Sequence, residues 1–240
     1  MNTPHQHIIK SYDDELKRLT GEIVRMGELA VTQLEAAIDV VQRRDERAAQ
    51  RIVDNDDALD TLEHDISQDV VRLLALRAPI AGDLRNVFAA LRIAADIERI
   101  GDYAANVAKR SIPLSRVAPI PVAGGLANLA ELAAEQLRNV LIAYRDQDAE
   151  AAYEVWKSDA DLDEAYTVVF RALLTYMMED PRNITPCTHL LFMAKNIERI
   201  GDHATNIAEN VWFVVHGEPL VAPRTKRDDT ASPDFSVKQP

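Results

Sequence analysis

A twelve-residue motif occurs twice in the chain, and its spacing constrains the fold more than any other feature. Residues 97–108 read IERIGDYAANVA, and residues 197–208 read IERIGDHATNIA, so nine of the twelve positions are identical at an offset of 100. Upstream of the motif the offset becomes 103, where Asp45 matches Asp148. A single duplication of about 100 residues is too long for a solenoid repeat and predicts two similar bundles in tandem.

The segments between the prolines carry apolar residues at helical spacing. In the first segment a continuous stripe steps by threes and fours from Tyr12 to Val41. Glycine is scarce, at 8 of 240 residues, which disfavours a turn-rich β fold. The stripe is lost at residues 43–46 and again at 145–148, where we expect turns. The pattern predicts an elongated all-α fold of six helices, at about residues 10–44, 46–77, 81–111, 124–145, 148–178 and 186–215.

The prolines also divide the chain into domains. Three prolines and the pair Gly124-Gly125 mark residues 113–125 as the region that joins the two copies. Residues 217–240 hold four prolines, mixed charges and few large apolar residues, which is typical of a disordered tail. We therefore expect a first three-helix bundle over 1–112, a linker over 113–123, a second three-helix bundle over 124–216 and a disordered tail over 217–240.

The composition excludes several classes of function. Acidic residues outnumber basic ones 39 to 27, and the net charge of −12 disfavours binding to nucleic acids and anionic lipids. Neither a glycine-rich phosphate loop nor a dinucleotide-binding motif is present. The single cysteine, Cys187, precludes an intrachain disulfide and fits a reducing compartment. No apolar run approaches the roughly 18 residues of a membrane span, so we expect a cytoplasmic protein, peripheral to a membrane at most.

Carboxylates interrupt the apolar stripes of the third and sixth helices. The stripe of the third helix continues in steps of four onto Glu98 and Asp102, with Asn106 one turn further on. The sixth helix repeats this arrangement with three equivalent residues, Glu198, Asp202 and Asn206. These side chains are therefore expected on the side of each helix that faces its own bundle.

The second and fifth helices carry acidic pairs as well. Asp56 and Asp60 are four residues apart, as are Asp159 and Asp163. Like charges at this spacing destabilise a helix by roughly 0.2–0.5 kcal/mol per pair. Each copy therefore brings two acidic pairs, on two helices expected to lie side by side, into one bundle.

Four converging carboxylates need neutralising charge, and this predicts one metal site in each copy. Oxygen ligands favour magnesium, calcium, manganese or iron over zinc. The Glu-x-x-His pattern of di-iron carboxylate enzymes is missing from both copies. Two other interpretations stay open: Arg99 and Arg199 supply part of the neutralising charge, or the acids line a solvated groove.

The two IERIGD motifs, each followed by an asparagine and preceded by a D-x-x-x-D helix, resemble the PhoU family. The resemblance covers about residues 5–216 and includes Asp83-Leu84-Arg85 ahead of the first motif. It implies two three-helix bundles related by pseudo-twofold symmetry, usually in a homodimer. It also implies multinuclear metal clusters bound through the paired motifs, whose residues here are Asp56, Asp60, Glu98, Asp102, Asp159, Asp163, Glu198 and Asp202.

The resemblance further implies a regulator without catalytic residues. Such a protein links the high-affinity phosphate ABC transporter to a phosphate-sensing histidine kinase and represses the phosphate-starvation response when phosphate is ample. Two alternatives stay open from the residues alone. One is a metal-dependent enzyme or metal store, and the other is a helical adaptor whose acids are merely solvated. The missing Glu-x-x-His pattern and nucleophile–base pair favour the regulator.

Overall fold

The computed structural model describes residues 4–77 and 79–221, and this part of the chain is helical without a β-strand. The helices are α1 (Pro4–Arg43), α2 (Glu46–Asp54), α3 (Asp57–Arg77), α4 (Ala81–Leu114), α5 (Gly124–Asp146), α6 (Ala149–Glu179) and α7 (Ile184–His216). A short 3-10 turn precedes α5 and another precedes α7. The all-α prediction is confirmed. The segment predicted to be a disordered tail lies outside the described residues from residue 222 onward.

Both predicted turns are present, and the two repeats build them in the same way. Asp45 and Asp148 cap the N-termini of α2 and α6, and each carboxylate accepts a hydrogen bond from the backbone N–H three residues on, at 2.9 and 3.0 Å. The preceding residues, Arg44 and Gln147, have φ values of 57° and 51°. The chain therefore reverses through one left-handed residue followed by one capping aspartate in each repeat.

The prediction of one continuous helix over residues 46–77 is wrong, because the chain leaves the helix at Asn55 and Asp56. The second repeat has no such break, and α6 runs unbroken through the equivalent positions. Residues 54–57 read Asp-Asn-Asp-Asp, whereas residues 157–160 read Lys-Ser-Asp-Ala. Short polar side chains compete for the backbone hydrogen bonds of a helix, and four in succession favour a turn.

Each repeat is a bundle in which the last helix packs against the other helices of its repeat. Helices α2 and α3 together correspond to α6 of the second repeat. Between the repeats, α1 packs against α5 and α4 packs against α7. Equivalent helices therefore meet each other, which is the arrangement that pseudo-twofold symmetry requires. One continuous apolar core joins the two bundles, with fully buried side chains from both, among them Ile23, Leu34, Ile97, Leu137 and Ile197.

Polar contacts cross the boundary between the repeats near this pseudo-twofold axis. The rings of Tyr103 and His203, which occupy equivalent positions, lie 5.6 Å apart. The Nδ1 atom of His203 lies 2.7 Å from a carboxylate oxygen of Asp96. On the neighbouring helix pair, Arg138 of α5 forms an ion pair with Glu35 of α1. The motif helices α4 and α7 are thus fixed along each other.

The end of α4 extends into the predicted linker. Helix α4 continues to Leu114, with Pro113 in its last turn, rather than ending near residue 111. The guanidinium of Arg44 donates to the carbonyl oxygens of Leu114 and Ser115, at 2.8 and 3.1 Å, and to that of Val117. These bonds satisfy carbonyls that the helix end leaves without an internal donor. Of the helices described, none is sufficiently long and apolar to traverse a lipid bilayer.

Candidate metal centre

Three carboxylates from two helices converge in the first repeat. Asp60 lies in the first turn of α3, and Glu98 and Asp102 lie one turn apart on α4. One oxygen from each carboxylate lies within 4.8 Å of the others. Asp60 is exposed and the other two residues are half-buried, so the group opens to solvent. Among the residues that the structure describes, this is the one group of three potential metal ligands with such spacing.

Asp56 borders this group and is oriented by the protein itself. It lies in the turn between α2 and α3, and the side-chain amide of Gln33 on α1 donates to its Oδ1 atom at 2.8 Å. The same amide nitrogen lies 3.4 Å from the carbonyl oxygen of Gly101. Asp56 is not a member of the group of three. It stands beside that group with one oxygen already engaged.

Three acids of the first repeat, Asp56, Glu98 and Asp102, have pKa values above their usual range. Burial is the largest cause that raises the pKa of Asp56, Glu98 and Asp102. The negative charge of Asp102 raises the pKa of Glu98 further, and Asp60 does the same for Asp102. The group therefore concentrates negative charge that its surroundings only partly compensate, which is the electrostatic condition that favours a bound cation.

Arg99 supplies only weak compensation. Its guanidinium lies 3.5 Å from a carboxylate oxygen of Glu98 and 3.6 Å from one of Asp102, and its side chain is 60% exposed. Exposed ion pairs at these distances stabilise little. The equivalent Arg199 donates instead to the hydroxyl of Tyr103 at 3.4 Å, and the charges of Glu198 and Asp202 contribute only smaller causes of its raised pKa. The arginines of the two motifs therefore do not neutralise the two clusters in the same way.

The second repeat places its acids in a different environment, and among the described residues Asp159, Asp163, Glu198 and Asp202 do not supply a second group of three with the spacing of the first. Asp159, Asp163 and Glu198 are 3%, 1% and 2% exposed, whereas Asp202 is half-buried. The ammonium of Lys195 lies 2.8 Å from Oε1 and 2.8 Å from Oε2 of Glu198. Burial raises the pKa of Glu198, and the hydrogen bond from Lys195 opposes that rise. Three of these four acids are buried and one of them pairs with a cationic side chain, whereas the first cluster is open to solvent.

The two asparagines of the motifs are not brought into a cluster. Asn106 is exposed and lies outside the group of three. The amide nitrogen of Asn206 lies 3.3 Å from Asp96 Oδ1, so that end of the side chain points to the other repeat. The structure therefore gives no support to Asn106 and Asn206 as ligands.

Sequence reasoning missed two residues that shape the clusters, Gln33 and Lys195. Gln33 has an equivalent in Gln136 at the offset of 103, and that repetition was the available signal. Gln136 is buried and its amide nitrogen lies 3.3 Å from the hydroxyl of Ser158. Lys195 could have been found from its place three residues before Glu198, where one turn of a helix brings two side chains together.

The donors in the first repeat suit a hard cation. Carboxylate oxygens from α3 and α4 face one another, and an open side leaves room for water ligands, as magnesium, manganese and calcium require. Histidine and cysteine, which zinc prefers, are absent from the group. Asp60, Glu98 and Asp102 would hold the ion, which would supply positive charge to three mutually repelling carboxylates.

The fold and these clusters define a class of protein: a duplicated three-helix bundle with an acidic cluster on the inner helices of each repeat. The PhoU domain matches residues 23–111 and 126–211, one match in each repeat. The chain belongs to the PhoU family. The resemblance inferred from the two motifs is therefore confirmed.

Relatives match the chain over nearly its whole length. A phosphate-specific transport system accessory protein PhoU homolog from Xylella fastidiosa (strain 9a5c) is 63% identical over 97% of this chain and 98% of its own length. The homolog of the same description from Caulobacter vibrioides (strain NA1000 / CB15N) is 47% identical over 93% and 97%. The similarity therefore includes both repeats.

Solved structures share the fold. The crystal structure of PhoU from Pseudomonas aeruginosa superimposes with a TM-score of 0.83 at 34% identity, covering 86% of this chain and all of that chain. The phosphate transport system regulatory protein PhoU from Streptococcus pneumoniae superimposes with a TM-score of 0.81 at 26% identity, covering 88% and 100%. The tandem arrangement of homologous helical bundles is thus that of experimentally determined members.

Proposed function

We propose that this protein is an accessory regulator of phosphate uptake. The observation that carries the proposal is the end-to-end match to relatives named as accessory proteins of the phosphate-specific transport system. Both repeats and both motifs lie within the matched region. The phosphate transporter is accordingly the first partner to test.

The proposed mode of action is repression of the phosphate-starvation response under ample phosphate. The protein would act by linking the phosphate ABC transporter to a phosphate-sensing histidine kinase at the cytoplasmic face of the membrane. The duplicated architecture supports such a link, because two similar bundles present two similar surfaces on one rigidly packed molecule. A homodimer would double these surfaces.

We propose that the action is binding rather than catalysis. The first cluster offers carboxylate oxygens and no nucleophile, and Cys187 is completely buried. Burial also raises the pKa of the Cys187 thiol, which disfavours the reactive thiolate. A metal store or a carboxylate-bound oxidase is the alternative, and turnover of the iron-loaded protein would favour it.

We propose that the first cluster holds a multivalent cation through Asp60, Glu98 and Asp102. The three oxygens are already close to each other, and burial and neighbouring carboxylates raise the pKa of Glu98 and Asp102, a condition that a bound cation would relieve. Manganese, magnesium, calcium and iron fit the donors, and zinc fits them less well.

The test is a phosphate-starvation reporter in cells that lack this gene, grown in excess phosphate. We expect the reporter to be active, the intact gene to silence it, and a Glu98→Gln/Asp102→Asn variant to silence it less. Asp65→Asn is the matched control, because Asp65 is an exposed acid on α3 outside the cluster. A reporter that stays off without the gene contradicts the regulatory proposal. Full silencing by the Glu98→Gln/Asp102→Asn variant contradicts a role for the metal in repression.

A further inference from the structure

The two motif helices differ at a position that faces the acidic clusters. Three residues before the motif glutamate, α4 carries Ala95 and α7 carries Lys195. The motif residues 97–102 and 197–202 that follow are identical, so the difference lies directly beside a repeated segment. The duplication thus supplies an internal comparison of a cluster with a lysine and a cluster without one.

Lys195 places a positive charge at the motif glutamate of the second repeat. Its ammonium contacts both oxygens of Glu198, each at 2.8 Å. The carboxylate that it contacts is almost fully buried, with a side chain 3% exposed. The same ammonium lies 5.2 Å from the centre of the Tyr166 ring, a distance at which the ring face attracts a cation. The hydrogen bond and the ring contact both hold the ammonium at the carboxylate, although the lysine side chain is 37% exposed.

The first repeat has nothing comparable at the equivalent place. The methyl group of Ala95 carries no charge, and Ala95 is exposed. Among the described residues, the cation that pairs with Glu98 is Arg99, which lies 3.5 Å away and is mostly exposed. The oxygens of Glu98 therefore stay accessible to an ion from solvent, together with those of Asp60 and Asp102.

We propose that Lys195 is the residue that decides which repeat binds metal, so that multivalent cations enter the first cluster and are excluded from the second. The ammonium donates a hydrogen bond to Oε1 of Glu198, lies 2.8 Å from Oε2, and repels a second cation close to it. The second cluster then contains an ion pair within α7, whose ammonium packs over the ring of Tyr166 on α6. This inference rests on the proposed metal binding by the first cluster and predicts half of the metal capacity that two equal repeats would have.

The test counts manganese ions bound to the full chain after removal of metal with a chelator. Equilibrium dialysis gives the number and affinity of the bound ions. Lys195→Ala gives the second repeat the residue that the first repeat has at this position, and Ala95→Lys makes the reciprocal change. Both are also made in a Glu98→Gln/Asp102→Asn background, where ions at the second repeat are counted alone.

We expect the Glu98→Gln/Asp102→Asn protein to bind no manganese, and the addition of Lys195→Ala to restore binding at the second repeat. In the otherwise unchanged chain, Ala95→Lys should weaken binding at the first repeat at least about tenfold, because an ammonium is placed beside Glu98. Thermal unfolding in chelator checks that each variant is folded. Ala95→Lys alters an exposed position and should leave the fold intact. If Lys195→Ala does not fold, Ala95→Lys alone tests whether a lysine at this position weakens metal binding.

Three results overturn the inference. They are manganese bound at the second repeat while Lys195 is present, no binding there after Lys195→Ala in a folded protein, and unchanged affinity in Ala95→Lys. Failure of the underlying proposal gives a different result. In that case the unaltered chain binds no manganese at the first repeat, while Lys195→Ala still opens the second.

Discussion

The side chain of Leu59 lies so close to Gly101 that a Cβ atom on the glycine would overlap its Cδ1 atom. Leu162 stands in the same relation to Gly201 in the second repeat. Both leucines are 1% exposed, so neither can swing aside into solvent. The glycine of each motif therefore allows a neighbouring helix to approach the motif helix closely. That helix is α3, with Asp60, in the first repeat and α6, with Asp163, in the second.

The close approach predicts that Gly101→Ala destabilises the protein by about 1–3 kcal/mol, because an added methyl group overpacks the core. The control is Gly21→Ala, since Gly21 is an exposed helical glycine with no atom near the added methyl group. That change should stabilise by about 0.5–1 kcal/mol through helix propensity. Denaturant unfolding of both variants provides the comparison, and equal effects of the two would disprove the packing argument.

Removing the leucine should remove the penalty. In a Leu59→Ala background, which itself costs about 2–5 kcal/mol, Gly101→Ala should cost little because the space beside it is empty. The double-mutant cycle then shows a coupling energy of about 1–3 kcal/mol. Strictly additive free energies of unfolding would mean that the two residues do not meet in solution.

The capping aspartates make a paired prediction. Asp45→Ala and Asp148→Ala should each lower the free energy of unfolding by about 1 kcal/mol, because each leaves a backbone N–H at a helix start without its acceptor. Asparagine at either position keeps an acceptor oxygen and serves as the control. Alanine and asparagine variants of equal stability at one position would show that the cap contributes nothing there.

Asp102→Asn in the first cluster is expected to change stability in opposite directions without metal and with metal. In chelator, Asp102→Asn should raise stability by a few tenths of a kcal/mol, because it removes repulsion among half-exposed carboxylates. With manganese at 100 times its dissociation constant, the unaltered protein should gain about 2.7 kcal/mol and the variant should not.

Melting temperatures measured in the two conditions test this reversal directly. Asp65→Asn, outside the cluster, should change the free energy of unfolding by no more than a few tenths of a kcal/mol in either condition. A variant that gains as much from manganese as the unaltered protein would remove Asp102 from the ligand set.

Tyr144 predicts how stability depends on alkaline pH. Burial raises the pKa of this phenol to about 12, whereas an unfolded tyrosine ionises near 10.0. Below pH 10 both states keep the proton. As pH rises from about 10 towards 12, the unfolded chain loses it first, so stability falls by up to about 2–3 kcal/mol. Tyr144→Phe should lose less stability over this range, as measured by urea unfolding, whereas parallel curves for the two proteins would contradict the prediction.

The duplication made the fold predictable. Loss of the apolar stripe at residues 43–46 and 145–148 located the two turns, and the structure shows Asp45 and Asp148 capping the helices that follow. The break at Asn55 and Asp56 was missed because it reflects a balance between helix formation across the whole segment and local hydrogen bonding by short side chains. In the second repeat, where Ser158 stands in place of Asn55, helix formation prevails and α6 continues without a break.

The candidate site was predictable only as a set of acids on inward-facing helices. Helical spacing placed Glu98 and Asp102 next to each other, and the pairing of helices brought Asp60 to them. The unequal burial of the two clusters could not be read from the motif, which is identical around Glu98 and Glu198. Burial depends on how long side chains such as Lys195 fold back across the surface, and that is decided by tertiary packing.

The pairing of α4 with α7 has a consequence for assembly. A symmetric interface of this kind, when built from two separate chains, forms more completely as the protein concentration rises. Here both halves belong to one chain, and the short segment between α4 and α5 keeps them at an effective concentration in the millimolar range. Their docking is therefore a first-order step whose rate does not change on dilution. Cutting the chain within residues 115–123 would make the same interface depend on concentration.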